Sequence, residues 1–152
     1  MSMRKIVNTA LILLCMTTAL PAYAATCSPT PADILGPFYK PDAPVRSSVG
    51  KGYLLQGSVR SAKDCNPIEG AKIEFWMAGP DGEYLDRYRS TLLSDKSGSY
   101  SFGSHFPPPY AGRPPHIHIR VSAPGHQTLV TQHYPLQGSQ KAVFDLVLVP
   151  GN

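Results

Sequence analysis

Charge is scarce in this 152-residue sequence, with Asp, Glu, Lys and Arg together making up 16% of it. That argues against a disordered charged tail and against a coiled coil, both of which depend on dense charge. Lys and Arg never form a run, and the net charge is only +4. Neither fact gives a reason to propose a nucleic acid or an anionic membrane as partner. Long stretches free of helix breakers are also missing. The chain holds 16 Pro and 13 Gly, and a Pro inside a helix costs about 3 kcal/mol, which excludes a helical bundle. Cysteine is rare, three in all. No pair has the C-x-x-C spacing that would favour a thiolate metal site. No internal repeat is visible. What remains is one β-rich domain with many turns, and with 42% hydrophobic residues to fill a core.

The longest apolar run stands at the start. Arg4 and Lys5 precede Ala10 to Leu20, and Ala22-Tyr23-Ala24 offers the small residues of a cleavage site. Residues 1–24 therefore read as a signal peptide, its apolar stretch too short for a membrane span of about 20 residues. The expectation is an exported protein, periplasmic or secreted, with no membrane attachment after the signal is removed. Loss of Arg4 and Lys5 would bring the net charge from +4 to +2, and loss of Cys15 would leave Cys27 and Cys65. In an oxidising compartment that pair most simply forms one disulfide, adding about 3–4 kcal/mol by loop closure.

Residues 25–50 are rich in Pro and small polar residues without periodicity and read as an ordered N-terminal arm. From residue 51 the pattern is that of strands and turns, giving a core domain over 51–152. Tyr53 to Arg60 is β-like. Lys72 to Met77 alternates, with Ile73, Phe75 and Met77 on one face. Thr91 to Ser94 and Ser99 to Phe102, with Asp95-Lys-Ser-Gly98 between them, read as a hairpin. His116 to Ser122, Thr128 to Gln132 and Val143 to Val149 complete the set. Short strands separated by turn residues predict an all-β, two-sheet β-sandwich.

The chemistry-bearing stretch is Pro107-Pro-Pro-Tyr-Ala-Gly-Arg-Pro-Pro-His-Ile-His-Ile119. Strand alternation puts His116, His118, Arg120 and Ser122 on one face and Ile117, Ile119 and Val121 on the other. Two histidines about 6.6 Å apart along a strand can converge on one metal. The spacing is suitable but common, so polar surface histidines are the competing reading. No carboxylate lies within ten residues of the H-x-H, whereas Tyr110 stands six residues upstream of His116. A phenol, with a pKa of about 10, ligates well only to a hard, strongly acidic cation, and ferric iron suits it better than zinc or cuprous copper.

At these residues the sequence resembles the intradiol ring-cleavage dioxygenases, the family of catechol 1,2-dioxygenase and protocatechuate 3,4-dioxygenase. The resemblance runs from Gly36-Pro-Phe-Tyr39 to about Pro135. It takes in Leu55-Gln-Gly-Ser-Val59, Pro67 to Trp76, Asp81-Gly-Glu-Tyr84, Ser94 to Phe102, Pro109-Tyr110, Arg113-Pro-Pro-His-Ile-His118, Ser122 to His126 and Thr131-Gln132. The Pro-Tyr followed by R-P-x-H-I-H is its most specific part. Transthyretin-like sandwiches share the rest.

The resemblance implies a non-haem ferric, Fe(III), cofactor held by Tyr84, Tyr110, His116 and His118. Tyr88 is a rival for the place of Tyr84. Tyr110 would be the tyrosine displaced when substrate binds, and Tyr84 the one retained. Arg113 matches an arginine that stabilises negative charge on the ring, and Gln132 a glutamine close to the iron. The implied reaction inserts dioxygen between the two hydroxylated carbons of a catechol, giving a cis,cis-muconate-type diacid. The implied partners are thus a small aromatic diol and dioxygen, and a homo-oligomer is left open. Only five residues separate Tyr110 from His116, fewer than in better-known members, which implies a more open pocket. Nothing in the sequence resembles the long helical segment that precedes the core in the catechol-specific branch, so it reads as a minimal, exported member.

Other readings stand beside this one. An exported β-sandwich can be a metal-free module that binds carbohydrate or protein, and an H-x-H can hold zinc or copper. Trp76 is expected in the core, and His105, His126 and His133 at the surface. Arg120 lines the pocket or is solvated, Arg113 could pair with a surface acid, and Phe38 could simply anchor the arm.

Overall fold

The computed structural model describes residues 27–151. The expected signal peptide, residues 1–24, lies outside them. Eight strands are present: β1 (Tyr53–Ser61), β2 (Lys72–Trp76), β3 (Arg89–Leu93), β4 (Ser99–Ser104), β5 (Ile117–Ser122), β6 (Leu129–His133), β7 (Lys141–Val143) and β8 (Leu146–Leu148). A single 3-10 turn at Asp86–Tyr88 is the one helical element among the described residues. No described helix is long and apolar enough to cross a membrane.

Two sheets pack face to face, as the alternating strands predict. One has the order β3-β2-β5-β6, all antiparallel; in the other β1 pairs with β4, β7 and β8. Ile73, Phe75, Ile117, Ile119 and Val121 of the first sheet meet Leu55, Val59, Phe102, Leu146 and Leu148 of the second in one apolar core. Phe75 stacks on Phe102 across the interface, their ring centroids 4.2 Å apart. Full burial of side chains of this size stabilises by about 1.5–3 kcal/mol each.

Three expectations need correction. Thr91–Phe102 is not a hairpin, because β3 pairs with β2 and β4 pairs with β1. Asp95 Oδ1 accepts the backbone N–H of both Ser97 and Ser99 and tightens the turn, which carries the chain from one sheet to the other. The last strand is broken at Phe144-Asp145 into β7 and β8. There Asp145 leaves the ladder to accept the N–H and the hydroxyl of Ser58. His133 is not a surface residue: it sits beside Ile117 on the inner face, and its Nε2 lies 2.7 Å from the Tyr53 hydroxyl of the opposite sheet.

The arm has no strand of its own and crosses the outer face of the β3-β2-β5-β6 sheet from edge to edge. Asp33 donates its N–H to Val130 on β6, and Val45 bridges Thr91 on β3. A disulfide joins Cys27 to Cys65, in the loop after β1, with Cα atoms 5.2 Å apart. It tethers the beginning of the arm to the core.

Candidate metal centre

The outer face of this sheet carries a row of polar and aromatic side chains. Trp76 on β2 pairs with His118 on β5, and His118 pairs with Gln132 on β6. Trp76 is buried, yet it is not between the sheets: its indole stacks on the His118 ring at 4.9 Å, on the outer side. Alternation predicts that His116 and His118 leave the core, and they do. It does not predict their burial, to 3% and 2% exposure: Gly36 of the arm lies against His118, and Tyr84 from the β2–β3 loop meets both rings. Gly36 lies against the His118 ring at φ +73°, where a Cβ would stand 3.0 Å from the imidazole. Glycine alone combines that backbone with that proximity.

Two loops bring the phenols. The β2–β3 loop delivers Tyr84, whose hydroxyl oxygen lies 3.1 Å from His116 Nε2 and 3.3 Å from His118 Nε2. Tyr110 and Arg113 close a two-residue turn with reciprocal backbone bonds, Tyr110 N–H to Arg113 O at 3.1 Å and Arg113 N–H to Tyr110 O at 2.9 Å. Ala111 and Gly112 both have positive φ, as such a turn requires. The Tyr110 ring stands edge-on to Tyr84 at 5.0 Å. Phe38, from the arm, stacks on Tyr84 at 4.2 Å, so it does more than anchor the arm. Tyr88 is elsewhere, buried with the core and hydrogen-bonded to Asp81, so the tyrosine brought to the histidines is Tyr84.

These residues line a cavity of about 220 Å3, together with Ile34, Pro37 and Ala111. Among the described residues that line it, Arg113 alone carries a permanent charge. Arg113 meets no surface acid; its Nη2 donates to Gln132 Oε1 and to the Tyr134 hydroxyl, each at 2.8 Å. Gln132 in turn donates from Nε2 to the Ile34 carbonyl at 2.7 Å. Arg120 does not line the cavity; it pairs with the buried Glu74 at 2.7 Å, one row further along the sheet.

The donor chemistry suits a hard trivalent cation. Among the described residues no three His, Cys, Asp or Glu side chains gather to hold a metal, and the further oxygen donors beside the two imidazoles are the phenols of Tyr84 and Tyr110. Burial, helped by His116 and Arg113, pushes the His118 imidazole down to about 4, and burial also lowers His116. Both rings are therefore neutral at pH 7, as metal ligation requires. His116 Nδ1 lies 2.8 Å from the Pro114 carbonyl and donates to it, which leaves the Nε2 lone pair aimed at Tyr84. His118 Nδ1 is buried without a partner. Burial and the neighbouring Tyr110 push the Tyr84 phenol up to about 12, against an opposing pull from Arg113. Only a strongly polarising cation would take its proton near neutrality.

Sequence reasoning missed Asp33 and Tyr134. Tyr134 accepts from Arg113 and donates to Asp33 Oδ2 at 2.8 Å, across 101 residues of sequence. The i, i+2 spacing of Gln132 and Tyr134 was the one available signal. Nothing local marks Asp33.

No family model matches the chain. A chlorocatechol 1,2-dioxygenase of Cupriavidus pinatubonensis is 34% identical over an alignment covering 69% of this chain and 54% of that protein. The chain thus spans about half the length of the curated relatives it matches. The solved dioxygenase domain of a dioxygenase–carbohydrate-binding fusion from Streptomyces sp. SirexAA-E superposes with a TM-score of 0.71 at 27% identity. That match covers 82% of this chain and 100% of the other. An intradiol ring-cleavage dioxygenase from Tetranychus urticae shares the fold with a TM-score of 0.73 at 19% identity, over 82% and 96% of the two chains.

Proposed function

Because this chain is a member of the intradiol ring-cleavage dioxygenase family, we propose that it is a non-haem ferric dioxygenase acting on catechol-type aromatics. It cleaves the ring between the hydroxylated carbons, and Tyr84, Tyr110, His116 and His118 are the iron ligands. The observation that carries this reading is the meeting of one phenol oxygen and two imidazole nitrogens within 3.3 Å, beside a second phenol and an arginine.

Ferric iron held there by Tyr84, Tyr110, His116 and His118 would supply Lewis-acid chemistry that activates a catechol toward dioxygen. The protein's own groups do the rest. His116 and His118 give neutral donors held in place by the Pro114 carbonyl and the Trp76 stack. Tyr84 gives an anionic donor once its proton is lost. Tyr110, at the base of its turn, accepts a proton from a catechol hydroxyl at its phenolic oxygen. Arg113 stabilises negative charge developing on the substrate, and Gln132 holds its Nη2. Ile34, Pro37 and Phe38 keep water from the ring. The cavity, at about 220 Å3, is smaller than the pockets of drug-sized ligands and suits a single aromatic ring.

The reading extends to an exported enzyme, supported by the signal-like residues 1–24 and by the Cys27–Cys65 disulfide, which persists in oxidising compartments. The test is to load the purified protein with ferric iron, record its visible spectrum, and follow oxygen uptake with catechol, hydroxyquinol and protocatechuate. A tyrosinate-to-iron band and a ring-opened diacid from one of them are expected. A colourless protein that retains no iron and consumes no oxygen with any of the three overturns the proposal.

A further inference from the structure

We propose that Asp33 and Tyr134 are positioning residues that orient the Arg113 guanidinium over the pocket while leaving its charge uncancelled. This rests on the reading above that Arg113 faces the substrate. Among the described residues Arg113 has no carboxylate within ion-pair distance. Both of its side-chain bonds leave from Nη2, to Gln132 Oε1 and Tyr134 Oη, so Nε and Nη1 of this cavity-lining residue stay without a partner among the described residues. Two acceptors stand near the Tyr134 hydroxyl, Gln132 Oε1 at 3.1 Å and Asp33 Oδ2 at 2.8 Å, and its one proton goes to the nearer, charged Asp33. Asp33 is itself held at two points: Oδ1 accepts from Ile34 N–H at 2.6 Å, and its backbone N–H donates to Val130 O at 2.9 Å. The bond from Gln132 to the Ile34 carbonyl closes the ring.

A phenol between carboxylate and guanidinium has a specific consequence. Direct contact would form a short, bidentate ion pair and occupy the fork that a substrate anion needs. One interposed hydroxyl roughly doubles the separation of the charges and so about halves their attraction, yet it still fixes the direction of Nη2. The backbone of Arg113 is already pinned by its turn with Tyr110. The side chain, which would otherwise keep its rotamer freedom, is then held at its far end too. Tyr134 is 41% exposed, so core packing does not explain its placement.

Tyr134→Phe, Asp33→Ala and Asp33→Asn test this, each alone and in an Arg113→Ala background. In the metal-free protein the NMR order parameter of the Arg113 Nε–Hε bond should fall from a rigid value to a flexible one (roughly 0.85 to below 0.6) in Tyr134→Phe and Asp33→Ala. Asp33→Asn can still accept the Tyr134 proton and should stay near the wild type. In the iron-loaded enzyme Tyr134→Phe should lower kcat on catechol about tenfold with KM within about twofold. Iron content and the visible band should not change. In the Arg113→Ala background the same change should have no further effect, because it acts through Arg113. An unchanged order parameter in Tyr134→Phe, or an equal loss of kcat with and without Arg113, overturns the proposal. If wild-type protein consumes no oxygen, the dioxygenase reading falls, and the order parameter still decides whether Asp33 and Tyr134 hold Arg113.

Discussion

The β3-β2-β5-β6 sheet is buried on both faces, and the two burials have different origins. On the inner face Ile73, Phe75, Ile117, Ile119 and Val121 pack against the second sheet. Their partners are many and interchangeable, and the driving force is the removal of apolar surface from water. On the outer face Glu74, Trp76, His116, His118 and Gln132 are as deeply covered, at 4% exposure or less, but by an irregular strap and the loops that carry Tyr84 and Tyr110. Each polar group there has a named partner, or, like His118 Nδ1 and Trp76 Nε1, none. The atoms that face the site are the Nε2 nitrogens of His116 and His118, each within 3.3 Å of the Tyr84 hydroxyl; a buried polar atom left without any partner costs about 1–3 kcal/mol. One strand, β5, serves both faces on alternate residues.

The widest contrast is between neighbours on that strand. His118→Ala is expected to lower ferric iron retention and activity by more than about 100-fold, with the metal-free protein still folded; retained iron by metal analysis would break the distinction. The strap comes next. Cys27→Ser with Cys65→Ser opens a loop of 38 residues and should cost about 4 kcal/mol in urea unfolding. Ile119→Ala should cost about 3 kcal/mol by the same measurement, from lost burial and the cavity left behind. The folded fraction should keep its visible band, and loss of colour in folded protein would show that the two faces are not separable.

The last contrast is one of pH. Burial pushes the inner-face His133 down to about 4, below its ordinary 6.5. The unfolded chain therefore binds the extra proton first. The contribution of His133 is complete above about pH 6.5 and falls as the pH drops toward 4, by at most about 1.4 kcal/mol per pH unit. Urea unfolding of metal-free His133→Gln should show a shallower pH dependence than the wild type over that window. Equal slopes would return His133 to the surface role that its sequence context suggested.

Much of this was legible in the sequence, for identifiable reasons. The faces of β2 and β5 follow from period-two alternation, because a pleated strand leaves no other choice. Tyr84, Tyr110, Arg113, His116, His118 and Gln132 could be named from motif resemblance, and the structure gathers them around one cavity or, for Gln132, against Arg113. Alternation puts Trp76 opposite Ile73, Phe75 and Met77, but it could not foresee which strand would bring His118 onto the indole. Tyr84 and Tyr88 share a loop and a residue type, and the structure separates them by where the chain turns. The hairpin failed because turn residues encode a reversal of direction but not which strand will be the neighbour.

By itself the amino-acid sequence determined what acts over a few residues: the strands, their apolar faces, and the imidazoles on one side of β5. Only the tertiary structure decided which distant groups share that side. The arm from Asp33 to Val45 crosses the whole sheet, and no local preference records its path. The contacts it makes, Gly36 on His118, Phe38 on Tyr84 and Asp33 on Tyr134, join residues some 46 to 101 positions apart in the chain. Their closeness depends on the closure of a loop, whose cost grows only slowly with length and leaves no mark on the sequence in between.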